Sequence, residues 1–238
     1  MVKKWLVRLE GHVFDLEDLQ EQLHSDEISI QERNGNYYLS SSYFTDLSRP
    51  DDVLSTARHL IELMNGAAKI FVNGYEPVSP TGEIIEIVDS EERKHVIMQV
   101  DTGRFRIKGK AVDLVSSSDG RDSGARKPTE IIDLLRKAIS NSRIADVLHF
   151  QSLEQTWSNL YKIYELVGDD IGTRNVEKIV EPHRIKHFKG TAQSRALIGD
   201  AARHASGKYK GPGKLPEMTL SEAKQLIADL LKAWISTK

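Results

Sequence analysis

Apolar and polar positions alternate at the start of the chain, where Trp5, Val7 and Leu9 recur at period two and predict a first strand. Asp15 then fits as the cap of a short helix whose apolar positions are Leu16, Leu19 and Leu23. Ile28 and Ile30 resume the alternation, Asn34-Gly35 offers the positive φ angles of a tight hairpin turn, and Tyr37 and Leu39 continue on the return strand. Pro50, Asp51 and Asp52 open a longer helix. Proline there lacks only an N–H that has no partner in a first turn, and carboxylates favour the positive end of the helix dipole. Its apolar stripe is Val53, Leu54, Ala57, Leu60, Ile61 and Met64, and Asn65-Gly66 reads as its stop. Past a turn-rich stretch, Glu83–Val88, His95–Val100 and Arg104–Leu114 predict three more strands, joined at Asp89–Arg93 and Asp101–Gly103. Hairpins in place of long crossovers make this sheet mainly antiparallel.

The pattern changes after Ser116–Lys127, a stretch with no apolar residue larger than Ala that reads as a flexible linker. Beyond it the period is helical. Thr129 precedes Ile131, Leu135, Ala138 and Ile139 on one face. Ser152 and Gln155 form a capping box ahead of Leu153, Trp157, Leu160, Tyr161, Tyr164 and Val167, and Thr219 and Glu222 form another ahead of Leu220, Leu226, Leu230 and Trp234. Residues 173–206 are expected to form one or two helices, followed by a Gly/Pro-rich basic loop. The expected fold class is α+β: an acidic domain over 1–115 with a mainly antiparallel sheet and two helices, a linker over 116–128, and a helical bundle over 129–238.

Charge sharpens this division. The 238 residues carry a formal net charge of −2, but it is unevenly spread. Residues 1–115 hold 13 Lys/Arg and 20 Asp/Glu, a net of −7, whereas residues 183–214 hold 8 Lys/Arg against the single acid Asp200, a net of +7. The chain has no Cys, which excludes disulfides, thiolate zinc sites and cysteine nucleophiles and fits a reducing compartment. No apolar run approaches the ~18 residues that span a bilayer. The basic start meets Arg8 and Glu10 too soon for a signal peptide, so the expected location is cytoplasmic, with no membrane partner.

Within the basic segment Arg184, Lys186, Lys189, Arg195, Arg203, Lys208 and Lys210 are interleaved with Phe188 and Tyr209. Cations that displace counterions from phosphates, beside aromatics able to stack on unpaired bases, point to RNA or DNA as the partner. The same charge also fits docking on an acidic protein surface, another protein's or a second copy's. His183 and His187 have the four-residue spacing of paired zinc ligands, but Arg184 stands where a metalloprotease helix needs its glutamate, and no metal is expected. Gly168–Gly172, with Asp169 and Asp170, reads as a helix terminus with a solvated turn in which Asp170 starts the next helix. Trp157, Tyr161 and Tyr164 share one stripe and read as core. No serine nucleophile elbow, phosphate-binding loop or dinucleotide fingerprint occurs, and no cofactor is implied.

The segment Arg143-Ile-Ala-Asp-Val-Leu-His149 fits an Arg followed by His after five intervening residues. With the helical pattern over 129–238, it resembles the HEPN superfamily of helical bundles, many of them metal-independent RNases of defence and toxin systems. That resemblance implies Arg143 as the stabiliser of phosphate charge and His149 as the proton carrier. Trp157–Glu165, His187–His204 and Met218–Trp234 also resemble a group of two-domain bacterial proteins with no assigned activity, which implies a shared architecture and no site residues. The leading expectation is a non-catalytic binding protein that contacts RNA or DNA through its basic segment. The alternatives are a HEPN-like RNase and an assembly component in which basic segment docks on acidic domain.

Overall fold

A computed structural model describes residues 3–72, 74–89, 91–97, 129–202 and 218–238. Its sheet has five strands, β1 (Lys3–Glu10), β2 (Ile28–Arg33), β3 (Asn36–Ser41), β4 (Ser79–Val88) and β5 (Glu91–Val96), in the order β2-β3-β1-β4-β5. Every pairing is antiparallel. The α+β class is as expected. The tight turn between β2 and β3 has φ of 53° at Asn34 and 74° at Gly35, the two left-handed residues that match the twist of the flanking strands. β4 begins earlier than its apolar run because Ser79 and Pro80 pair with Glu10 and Leu9. β5 likewise starts at Glu91, not His95, since the turn is confined to the region of Asp89, whose φ is 47°. The expected strand over Arg104–Leu114 and the expected linker lie outside the described residues.

Two helices flank the strands, α1 (Val13–Gln22) and α2 (Pro50–Phe71). Asp15 is not the cap of α1, which starts two residues sooner; its carboxylate instead accepts from the Glu76 N–H at 3.3 Å. α2 runs 22 residues and passes straight through Asn65-Gly66, the expected stop. Tertiary contacts override the local signal there. A Cβ on Gly66 would run into the Leu148 carbonyl and lie 2.9 Å from Leu148 Cα, so glycine lets two helix backbones touch. Asn65 is buried and uses its amide in place of a strand neighbour: it donates to Val78 O at 2.9 Å and accepts from Val78 N at 3.1 Å and from the Tyr75 hydroxyl. Burial drives the Tyr75 hydroxyl pKa well above its ordinary range.

The remaining helices are α3 (Glu130–Ser140), α4 (Ser142–Ser152), α5 (Trp157–Ile171), α6 (Thr173–Ile179), α7 (Pro182–Ala192), the single turn α8 (Arg195–Ile198) and α9 (Leu220–Ile235). Thr129 caps α3, although Ile139 on its expected stripe is largely exposed. The Thr219–Glu222 box is complete in both directions, with Glu222 N donating to Thr219 Oγ1 and Thr219 N to Glu222 Oε2. The Ser152–Gln155 box does not form. Ser152 ends α4 and donates to His149 O, and Thr156 caps α5. The two halves expected as separate domains share one continuous core, because α2 packs on β4 and β1 of the sheet and on α3, α4 and α9 as well.

Candidate functional site

α7 is the element on which the described part of the basic segment can be judged. Pro182 occupies its first turn, where the missing N–H costs nothing. Ile185, Phe188 and Ala192 are buried, and Phe188 is fully enclosed by Trp157, Tyr161 and Tyr164, with ring centroids 6.1, 5.8 and 5.8 Å away. The Trp157–Tyr164 stripe is therefore core, as expected, but Phe188 is core too and is no platform for a base. Tyr209, the other aromatic of the segment, lies outside the described residues.

The cations of α7 point elsewhere. Lys186 is exposed. Arg184 Nη1 lies 3.4 Å from Asp229 Oδ2 of α9, an ion pair at the surface. Lys189 sits with its Nζ 5.8 Å from the centre of the Tyr164 ring. His183 is exposed beside Glu181 at 3.5 Å, and its ring lies 6.3 Å from that of His187. Among the described residues no group of three His, Asp or Glu is placed to hold a metal ion, and His204 lies outside them. Arg195 opens α8, and Arg203, Lys208 and Lys210 lie outside the described residues. The chain resumes at Met218, whose N–H donates to Thr191 Oγ1 of α7 at 3.2 Å. Next to this anchor Gln193 donates to the Tyr161 hydroxyl, and Ser194 is wholly buried. Thr191 and Gln193 thus tie the end of α7 to the start of α9 and to α5, a role that no motif announces.

Arg143 and His149 stand at opposite ends of α4. Six residues at 100° each set them about 120° apart around the helix. Arg143 faces Asp169 of α5 at 4.0 Å, whereas His149 Nδ1 lies against the Glu62 carboxylate of α2. Each is held by a different helix, and the single chain does not bring them together. Asp169 and Asp170 do close α5, with Gly172 at φ of 83° behind them. Asp170, however, neither points to solvent nor starts α6. It accepts from Trp234 Nε1 at 2.7 Å and pairs with Lys238. Burial alone would raise its pKa, but Lys238 and the Trp234 N–H outweigh it and hold the carboxyl below its ordinary range.

A half-open cleft of about 470 Å³ lies between α3 and the end of α9. It carries Lys137 together with Glu130 and Asp133 on α3, and Lys232 and Lys238 from the other side, so its charge is mixed. Among the described residues no helix is long and apolar enough to cross a membrane. Comparison of the chain with protein-family models, with curated proteins and with solved structures finds no match, so the functional reading rests on its own residues.

Proposed function

We propose that this protein is a non-catalytic binding module whose basic segment, residues 183–214, holds RNA or DNA through its phosphates. The observation that carries the reading is charge: eight Lys/Arg against one acid over those residues, in a chain whose first 115 residues are net acidic. α7 supports it as a rigid base, since its apolar side is locked in the core while Lys186 faces solvent. Arg184 adds to it because a surface ion pair such as that with Asp229 is worth only ~0–1 kcal/mol and exchanges readily for a phosphate. With Phe188 buried, no Phe, Tyr or Trp among the described residues of the segment is free to stack on a base, so contact is expected on the backbone of the nucleic acid and binding to be indifferent to sequence.

Fluorescence anisotropy of labelled single-stranded RNA at two salt concentrations tests this, with a gel of the recovered RNA. If six or more phosphates are neutralised, affinity falls by about three-hundredfold or more between ~50 and ~200 mM salt, at a slope of about 0.7 per phosphate for a single strand, while the RNA stays intact. Salt-insensitive binding contradicts the reading. Metal-free cleavage that disappears in His149→Ala transfers the assignment to Arg143 and His149. Salt-dependent self-association without RNA binding transfers it to docking of the basic segment on the acidic half of a second copy.

A further inference from the structure

The cleft between α3 and the end of α9 is a volume that the fold leaves unfilled. Its floor is apolar. Leu134 of α3 is buried there, while Phe71 at the end of α2 and Ile235 at the end of α9 pack on the core yet keep part of their surface open. At about 470 Å³ the cleft falls within the range of small-ligand sites, ~300–1,000 Å³.

The walls carry charge in a definite order. Along α3, Glu130, Asp133 and Lys137 all line the cleft, and spacings of three and four put them on one stripe of the helix. Acid and base at the ends of that stripe are about 10 Å apart along the axis. Lys232 reaches the cleft from α9. Asp133 is engaged by Arg136 at 3.3 Å, and Lys238 by Asp170. Glu130, Lys137 and Lys232 form no ion pair with any described residue, so all three side chains can turn to a molecule in the cleft. The dipole of α3 accounts for an acid in its first turn and a base in its last. It does not account for an open apolar floor between them.

We propose that this cleft binds a short apolar peptide by its two ends, with the free ammonium against Glu130, the carboxylate against Lys137 and Lys232, and the side chains on Phe71, Leu134 and Ile235. Charge sign selects a ligand with one charge of each kind. A purely anionic molecule would meet Glu130 and Asp133, and a purely cationic one the lysines. Charge spacing then selects its length. One residue spans only ~3.5 Å and cannot reach both ends of the stripe, whereas three extended residues span ~10 Å. The site is separate from the basic segment and does not rest on it.

Isothermal titration calorimetry of the full-length protein with the tripeptide Ala-Leu-Ala, at neutral pH and low salt, tests the assignment. The expected result is saturable binding with Kd below about 1 mM. Acetylating the peptide's amine and amidating its carboxylate should each weaken binding about tenfold. In Glu130→Gln the unmodified peptide should lose that same factor, and acetylation should then cost nothing further. In the Lys137→Gln, Lys232→Gln double variant the same should hold for amidation. None of the three substituted side chains is in the core, so both proteins keep the fold. Absence of saturable heat up to ~10 mM peptide, or blocked peptides that bind as well as the free one, overturns the proposal. Blocking penalties that persist unchanged in both variants place the peptide elsewhere and overturn the site. Free leucine binding as tightly as the tripeptide overturns the peptide assignment.

Discussion

Lys69 on α2 and Lys186 on α7 are both lysines on the polar side of a helix, and their surroundings use them in opposite ways. Lys69 spans the seam between α2 and α4, donating to Ser152 O at 2.7 Å and Leu153 O at 2.8 Å, the carbonyls at the negative end of α4. Burial there, with Lys224 nearby, lowers its pKa. Along the same seam His149 lies against Glu62, and the two backbones touch at Gly66. Charge at the seam is consumed by the fold. On α7 the apolar residues hold the helix in place, and the exposed Lys186 is left over. The contrast separates cations that close helix ends from cations offered outward, a distinction that composition alone does not make.

The largest effect expected from breaking the comparison is at the seam itself. Gly66→Val should destabilise the protein by about 3 kcal/mol or more, because the new side chain meets a helix backbone that cannot move aside. Gly168→Ala in α5, where a Cβ meets nothing within 4 Å, should be neutral or stabilising by up to ~1 kcal/mol. Chemical denaturation of the two variants side by side measures the difference. Asn65→Leu comes next. It removes the clamp on Val78 and the partner of Tyr75, at a cost of about 2–3 kcal/mol by the same measurement.

A smaller effect follows from Asp170. Its folded pKa lies below the ordinary 3.8, so its stabilising contribution is complete above that value and is lost as pH falls through the lower folded one. Asp170→Asn should therefore be less stable than the parent near neutral pH, and the gap should close in acid, read from thermal melts over a pH series. The smallest change in stability belongs to Lys186→Glu, expected within ~0.5 kcal/mol of the parent. The same substitution should weaken RNA binding, and a stability loss as large as that of Asn65→Leu would mean that α7 has no surplus charge to offer.

Local chemistry made much of this fold legible. Asn34-Gly35 is the turn its dipeptide demands, Thr219 with Glu222 is the box that its spacing predicts, and Pro50 opens α2. Errors arose where a local signal competed with a distant contact. Asn65-Gly66 is a good helix stop in isolation, but Val78 and Leu148 give both residues work inside the helix. Ser152 and Thr156 are both capping residues, four apart, and back-bonding of Ser152 to His149 O leaves the cap to Thr156. The basic segment was visible as charge, yet nothing in its sequence separates the buried Phe188 from an exposed stacking residue, because its partners Trp157, Tyr161 and Tyr164 come from another helix.

The central claim is that cations left over by the fold hold a phosphate backbone. The most direct test is the slope of log binding constant against log salt for single-stranded RNA, compared between the parent and a Lys186→Ala, Lys208→Ala, Lys210→Ala triple variant. Every phosphate that the variant no longer neutralises should make the slope shallower by about 0.7 for a single strand, so three such phosphates predict a slope shallower by about 2, with stability unchanged. An identical slope in the two proteins, with RNA still bound, would contradict the claim.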